Sequence, residues 1–207
     1  MIILLNGTSS AGKTTLARSL QDRYAGVLLL YGVDTMVQGA FPEKCDLPPW
    51  NEQAIRVEMT ELEGVPHVRL DVSSYMIPVY RSAVAFYRKL SAQGYNVIVD
   101  EVLFDPRRVR AYFELLASET VYFIGVKPDK SVVIERERAR GDRLPGLAAG
   151  LYDEVYDPCY EYDLTIDTGH LSPDAAADTV LKYLQRTPDP AGFRRSGQRW
   201  LSARSLS

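Results

Sequence analysis

From Gly7 to Thr14 the chain reads Gly-Thr-Ser-Ser-Ala-Gly-Lys-Thr, a complete G-x-x-x-x-G-K-[ST] pattern. These residue types suit the gripping of phosphate. Gly7 and Gly12 let backbone N–H groups turn inward around phosphate oxygens, with Thr8, Ser9, Ser10 and Ala11 forming the arc between them. Lys13 can reach the β- and γ-phosphates of a nucleotide, and the Thr14 hydroxyl can ligate Mg²⁺. Thr15 continues the helix whose positive end faces the phosphates. Asp100 closes the run Asn96-Val-Ile-Val-Asp100, which places a carboxylate at the carboxyl end of a buried strand, where a second Mg²⁺ ligand belongs. Glu101 faces the opposite side if the strand continues, and ranks second.

Further groups suit the other partner in a phosphoryl transfer. Asp34, in Tyr31-Gly-Val-Asp34, follows a second apolar run and falls on the same sheet edge as the phosphate loop. A carboxylate there can accept the proton of an attacking hydroxyl. It can equally cap the segment Thr35–Ala40, and position alone leaves the two roles even. Arg136, Arg138, Arg140 and Arg143 crowd one helix and loop, with Arg136 and Arg140 sharing a face. Gly141 ends that helix, and Pro145-Gly146 offers a hinge. A lid over about 136–150 fits this pattern, and so does a solvated helix with Glu–Arg pairs. Met36, Phe41, Trp50, Tyr75, Met76 and Tyr80 form one aromatic-rich group, and Tyr152, Tyr156, Tyr160 and Tyr162 another. Either can line an apolar acceptor pocket or fill the core.

The elements that must hold these residues follow from the apolar pattern. Short apolar runs at Met1–Leu5, Val27–Tyr31, Asn96–Val99, Thr120–Val126 and Leu164–Ile166 have the length of strands buried on both faces. Helical patterns lie between or after them, at Lys13–Tyr24, Tyr75–Gln93, Pro106–Ala117, Asp129–Arg140 and Pro173–Arg186, the last capped by Ser172. Strands alternating with helices predict an α/β fold with a parallel sheet between helical layers. One domain over 1–186 is expected, with an insertion at about 41–72 that carries four prolines and turns back near Gly64. Residues 187–207 hold four arginines and several serines and are expected to form a poorly ordered basic tail.

Composition narrows the classes. The 207 residues carry a net charge of -3, against a sequence-blind nucleic-acid binder. No run approaches the ~20 apolar residues of a membrane span. Cys45 and Cys159 stand far apart, as do His67 and His170, so neither a disulfide framework nor a transition-metal cluster is expected, and a reducing cytoplasm fits. Of 24 basic residues, those at Arg outnumber those at Lys, which suits bidentate phosphate gripping as well as a GC-rich genome.

Five blocks together carry a resemblance. They are Leu5-Asn6-Gly7-x-Ser9-Ser10-Ala11-Gly12-Lys13, Tyr31-Gly32-Val33-Asp34, Val97-Ile98-Val99-Asp100-Glu101-Val102, Ala139-Arg140-Gly141-Asp142-Arg143 and Glu161-Tyr162-Asp163-x-x-Ile166-Asp167-Thr168. In this order, from Met1 to about Leu184, the chain resembles the chloramphenicol phosphotransferase family. The resemblance implies a three-layer P-loop fold of nucleotide-kinase type, its parallel five-stranded sheet in order 2-3-1-4-5. It implies ATP- and Mg²⁺-dependent phosphorylation of a small-molecule hydroxyl, with antibiotic inactivation as one use. Asp34 would then be the base, Lys13, Arg136 and Arg140 would act on the transferred group, and Arg136, Arg140 and Arg143 would contact nucleotide. Asp167 and Thr168 would lie near the adenine. Phe41–Val72 does not align with the family, so the acceptor stays open. A nucleoside, nucleotide or sugar kinase of the same fold, or a non-enzymatic ATP-binding regulator, are the alternatives.

Overall fold

A computed structural model describes residues 1–36, 41–42, 49–62, 64–141 and 144–204. β1 (Ile2–Asn6) leads through the phosphate loop into α1 (Lys13–Arg23), then β2 (Leu28–Gly32) and the short α2 (Val33–Met36). A 3₁₀ turn at Trp50–Gln53 precedes a hairpin of β3 (Ile55–Leu62) and β4 (Val65–Val72). α3 (Met76–Ala92), β5 (Asn96–Glu101), α4 (Pro106–Leu115) and β6 (Val121–Val126) follow. The chain then runs through α5 (Lys130–Arg140), α6 (Leu147–Val155), β7 (Leu164–Ile166), α7 (Pro173–Arg186) and α8 (Gly192–Ala203).

Every pairing in the main sheet is parallel, in the order β2-β5-β1-β6-β7. The labels differ from the expected order because the hairpin strands intervene in sequence; the sheet's own strands, numbered alone, run 2-3-1-4-5. Period-2 alternation in β1 divides the core. Ile2 and Leu4 face α3, α4 and α8 through Tyr80, Tyr87, Tyr112, Phe113 and Trp200. Ile3 and Leu5 face α1, α5 and α7 through Leu16, Leu20, Val133 and Val180. The apolar runs lack a polar face because both faces are covered.

Local chemistry starts and stops the helices. Gly12 caps α1 at φ 88, a left-handed conformation that suits glycine. The Asp105 carboxylate accepts from the N–H groups of Arg107 and Arg108 at 2.8 and 3.3 Å, and Pro106 opens α4. Ser172 caps α7 through the Ala175 N–H, as expected.

Residues 187–204 correct an expectation; 205–207 lie outside the described residues. Instead of a poorly ordered tail, Gly192–Ala203 is a helix against β6 and α4. Phe193, Ser196, Gly197 and Trp200 recur at i, i+3, i+4 and i+7 and are buried. The Trp200 indole packs on Phe113, with the Arg204 guanidinium 4.2 Å from its ring centre. The arginines of this segment pair with acids: Arg194 with Asp189 of the same segment, Arg195 and Arg199 with Glu161, and Arg204 with Asp157.

The hairpin turns at Gly64, where φ is 76. β4 lies directly on α6. A Cβ at Gly150 would overlap the Val68 carbonyl, and one at Gly146 would overlap Pro66. These glycines, one turn apart, let the two backbones touch, and the Val68 N–H donates to the Gly146 carbonyl at 3.0 Å. No helix among the described residues is long and apolar enough to cross a membrane.

Candidate active site

The phosphate loop sits where β1 meets α1, between β5 and β6, at the carboxyl edge of the sheet. Tight packing fixes it. A Cβ at Gly7 would stand 2.5 Å from the Val126 carbonyl oxygen. Thr8 is fully buried: its hydroxyl donates to the Ala148 carbonyl, and its N–H to the Tyr156 hydroxyl, which donates in turn to the Val126 carbonyl. Burial pushes the Tyr156 phenol well above its ordinary pKa, so it stays a donor. Ser10 takes a positive φ of 60, uncommon outside glycine, and its buried hydroxyl has no partner among the described residues. An orphaned buried hydroxyl in the middle of this loop fits an arriving phosphate oxygen.

Lys13, Thr14 and Asp100 meet at the mouth of the loop. The Thr14 hydroxyl donates to Asp100 Oδ2 at 2.6 Å, and Lys13 Nζ lies 3.7 Å from Asp100 Oδ1. Lys13 also donates to the Thr8 carbonyl at 3.0 Å. A hydroxyl and a carboxylate side by side form a hard-oxygen donor set that fits Mg²⁺. Glu101, the second-ranked carboxylate, is excluded from this role. It turns to the other face, is buried, and accepts from Arg108 Nη2 at 2.7 Å and the Tyr112 hydroxyl at 2.5 Å.

Asp34 lies in α2, two residues past Gly32, which pairs in register with Asp100. Gly32 and Thr35, on either side of it, both line a cleft of about 240 Å³ on the α3 side of the phosphate loop. The Asp34 side chain is outside the described residues, as are Arg143, Cys45 and the Trp50 side chain.

The arginines of α5 divide. Arg136 donates from Nη1 to the Thr168 hydroxyl at 2.9 Å and from Nη2 to the Thr168 carbonyl at 2.6 Å. The Thr168 hydroxyl donates to the Ala11 carbonyl at 2.7 Å, so the loop after β7, α5 and the phosphate loop are tied together. Arg138 is exposed and points away, as its spacing implied. Arg140 lines the first cleft and also a second one of about 400 Å³. That second cleft is bounded by Arg136, Thr168, Leu171 and Pro173. Asp167 stands beside it and accepts from the Gly169 N–H at 2.8 Å, with the His170 ring at 2.8 Å. The His170 hydrogen bond holds the Asp167 carboxyl below its usual pKa and raises that of His170.

Beyond Asp100 the wall of the first cleft is mostly apolar, with Arg108 set into it. Tyr31, Ile55, Leu70, Tyr80, Phe104 and Leu151 contribute, drawn from β2, the hairpin, α3, the loop after β5 and α6. Of the aromatic group expected here, Tyr80 lines it, while Tyr75 is mostly exposed and Met36 and Phe41 pack on the core. Tyr160 and Tyr162 belong to the core around Phe123 rather than to a pocket.

Three features carry no signal in the sequence. Glu137 is buried and accepts from the N–H groups of Gly146 and Ala148 at 2.8 and 2.7 Å, so α5 caps α6. Asn6 donates to the Val155 carbonyl and the Tyr162 hydroxyl and accepts from the Leu103 N–H, locking the end of β1. The third is the buried Glu101–Arg108 pair. Only the glycine spacing in Gly146-x-x-x-Gly150 hints at the docked hairpin.

The chain has recognisable relatives. A model of the chloramphenicol phosphotransferase-like proteins matches residues 1–185. A Mycobacterium tuberculosis protein named as a candidate O-phosphotransferase is 32% identical over 208 residues, covering 97% of this chain and 89% of the relative. In fold, the chain is similar to the Mycobacterium tuberculosis APS kinase, with TM-score 0.62, 14% identity, and 89% and 97% of the two chains covered. It is also similar to shikimate kinase from Aquifex aeolicus, with TM-score 0.54, 16% identity, and 91% and 98% covered. By sequence and fold, the chain belongs to the chloramphenicol phosphotransferase-like family, a P-loop phosphotransferase that acts on a small-molecule hydroxyl.

Proposed function

We propose that this protein transfers the γ-phosphate of ATP, with Mg²⁺, to a hydroxyl of a small molecule bound in the apolar cleft. One observation carries this: two clefts meet at the phosphate loop, and Ser10, Gly12, Thr15 and Arg140 line both. The cleft beside Arg136, Thr168 and Leu171 takes the nucleotide base and ribose. The apolar cleft takes the acceptor. Transfer then occurs in line across the loop between them.

In this reading the loop Gly7–Thr15 holds the phosphates through the backbone N–H groups left once those of Gly7, Thr8 and Ala11 have bonded to Glu101, Tyr156 and Thr8, and Lys13 neutralises charge on the β,γ-bridge. Thr14 and Asp100 hold Mg²⁺, which supplies charge neutralisation when bound. Asp34 accepts the proton of the attacking hydroxyl. Arg140, with Arg143 beyond it, meets charge developing on the transferred group, while Arg136 and Thr168 fix the nucleotide side. Asp167 borders the base. A cytoplasmic setting, where ATP is supplied, completes the reading.

A panel of hydroxyl compounds that includes chloramphenicol, incubated with ATP and Mg²⁺ and read by mass spectrometry, tests it. At least one member should gain one phosphate. ATP consumed with no phosphorylated compound anywhere in the panel would contradict it.

A further inference from the structure

Arg108 is the most deeply buried arginine among the described residues, at 1% exposure, and it lines the apolar cleft. Its guanidinium carbon lies 3.9 Å from the centre of the Tyr80 ring and 5.2 Å from that of Phe104. Nη2 donates to Glu101 at 2.7 Å, the guanidinium's one hydrogen bond among the described residues. Nε is buried with no partner. A guanidinium carries five donors, and buried donors in native proteins are nearly always used. Here one partner is fixed, Nε has none among the described residues, and the side chain forms part of the cavity wall.

Glu101 does not need Arg108 alone, because it also accepts from Tyr112 and from the Val102 N–H. Its charge cancels that of Arg108, so the pair is neutral; the other cations lining the cleft, Lys13, Arg18 and Arg140, come from α1 and the end of α5. A carboxylate or phosphate placed against this pair would find no excess positive charge. A polyol would leave hydroxyls facing Ile55, Leu70 and Leu151 without partners.

We propose, resting on the phosphotransferase reading above, that Arg108 is a specificity-determining residue of the acceptor site. Its unpaired N–H groups take a neutral oxygen, such as a carbonyl, of a hydroxyl compound whose apolar or aromatic body packs on Tyr31, Tyr80 and Phe104. Stacking on Tyr80 and the bond to Glu101 hold the guanidinium plane in place before the acceptor arrives.

The test uses the full chain, ATP, Mg²⁺ and three sets of alcohols: neutral aromatic alcohols bearing a carbonyl, polyols, and alcohols bearing a carboxylate or phosphate. The first set should be phosphorylated with the highest kcat/KM. For its best member, Arg108→Met should raise the acceptor KM about tenfold or more, while the ATP dissociation constant from calorimetry stays within about twofold. Since Arg108→Met leaves Glu101 charged and buried, the double variant Glu101→Gln/Arg108→Met, which removes both charges, is measured beside it and should show the same split. An unchanged acceptor KM in the double variant overturns the proposal. So does a joint loss of acceptor and ATP affinity, which marks a structural prop, or a preference for polyols or anionic alcohols. In each of these cases transfer itself persists and the phosphotransferase reading stands. Transfer to no member of any set removes both.

Discussion

The two sides of the phosphate loop are built by different means. On the side proposed for the nucleotide, short polar contacts that converge on one eight-residue loop do the holding: Arg136 to Thr168, Thr168 to Ala11, Thr14 to Asp100. On the acceptor side, apolar side chains come from five separate elements, and the one charged group among the apolar wall residues is cancelled by its partner. Every kinase of this fold must grip the same triphosphate, and a local motif suffices for that. The acceptor cleft proposed here is instead assembled from long-range packing of β2, the hairpin, α3 and α6. Chemistry common to the fold is therefore written locally, and specificity is distributed.

Substitutions on the two sides should behave differently. The largest effect is expected from Lys13→Ala, which removes the charge on the β,γ-phosphates; turnover should fall on the order of 10³-fold for every acceptor alike. A loss that varies with the acceptor would show that the two sides are not separable. Next is Trp200→Ala, with a stability loss of about 3–5 kcal/mol by denaturant unfolding, because α8 backs the helix that carries Arg108. Deleting residues 187–207 should prevent folding, whereas a truncated chain as stable as the native one would restore the idea of an unpacked tail.

Gly150→Ala forces a methyl against the Val68 carbonyl and should cost about 1–3 kcal/mol. Its kinetic signature should be a raised acceptor KM with little change in KM for ATP, since the hairpin and α6 wall the acceptor cleft. The smallest effect concerns Asp105. Burial works to raise its pKa, but the Arg107 hydrogen bonds and the Arg108 N–H outweigh it and hold the pKa below 3.8. Its contribution is therefore complete above pH 3.8 and fades as pH falls through the lower folded value. Asp105→Ala should destabilise by ~1 kcal/mol at neutral pH, and urea midpoints for native and variant should converge in stronger acid. A gap that stays constant with pH would assign the loss to packing.

The sheet was legible because its strands are buried on both faces and read as unbroken apolar runs. The phosphate loop was legible because its chemistry fits into eight consecutive residues. The basic C-terminal segment was misjudged from composition, although the stripe from Phe193 to Trp200 has helical spacing; the arginines that suggested disorder lie on its outer face, paired with acids. The pairing of Glu101 with Arg108 offered nothing to read. The two come from a strand end and the next helix, and only the fold sets them in contact. The same holds for Glu137, which looks like one of many charges in Glu-Arg-Glu-Arg yet caps another helix. Arg excess in an acidic chain likewise resolves into separate parts: nucleotide-side contacts, a buried acceptor-side group and surface pairs.

The central claim is that one loop serves a donor and an acceptor separately, with Asp34 on the acceptor edge. The most direct measurement is Asp34→Asn, with ATP affinity by calorimetry and phosphate transfer by mass spectrometry on the same preparation. ATP affinity should match the native protein, while transfer to the best acceptor falls on the order of 10²–10⁴-fold. Transfer within a few-fold of native would make Asp34 a helix cap and contradict the account.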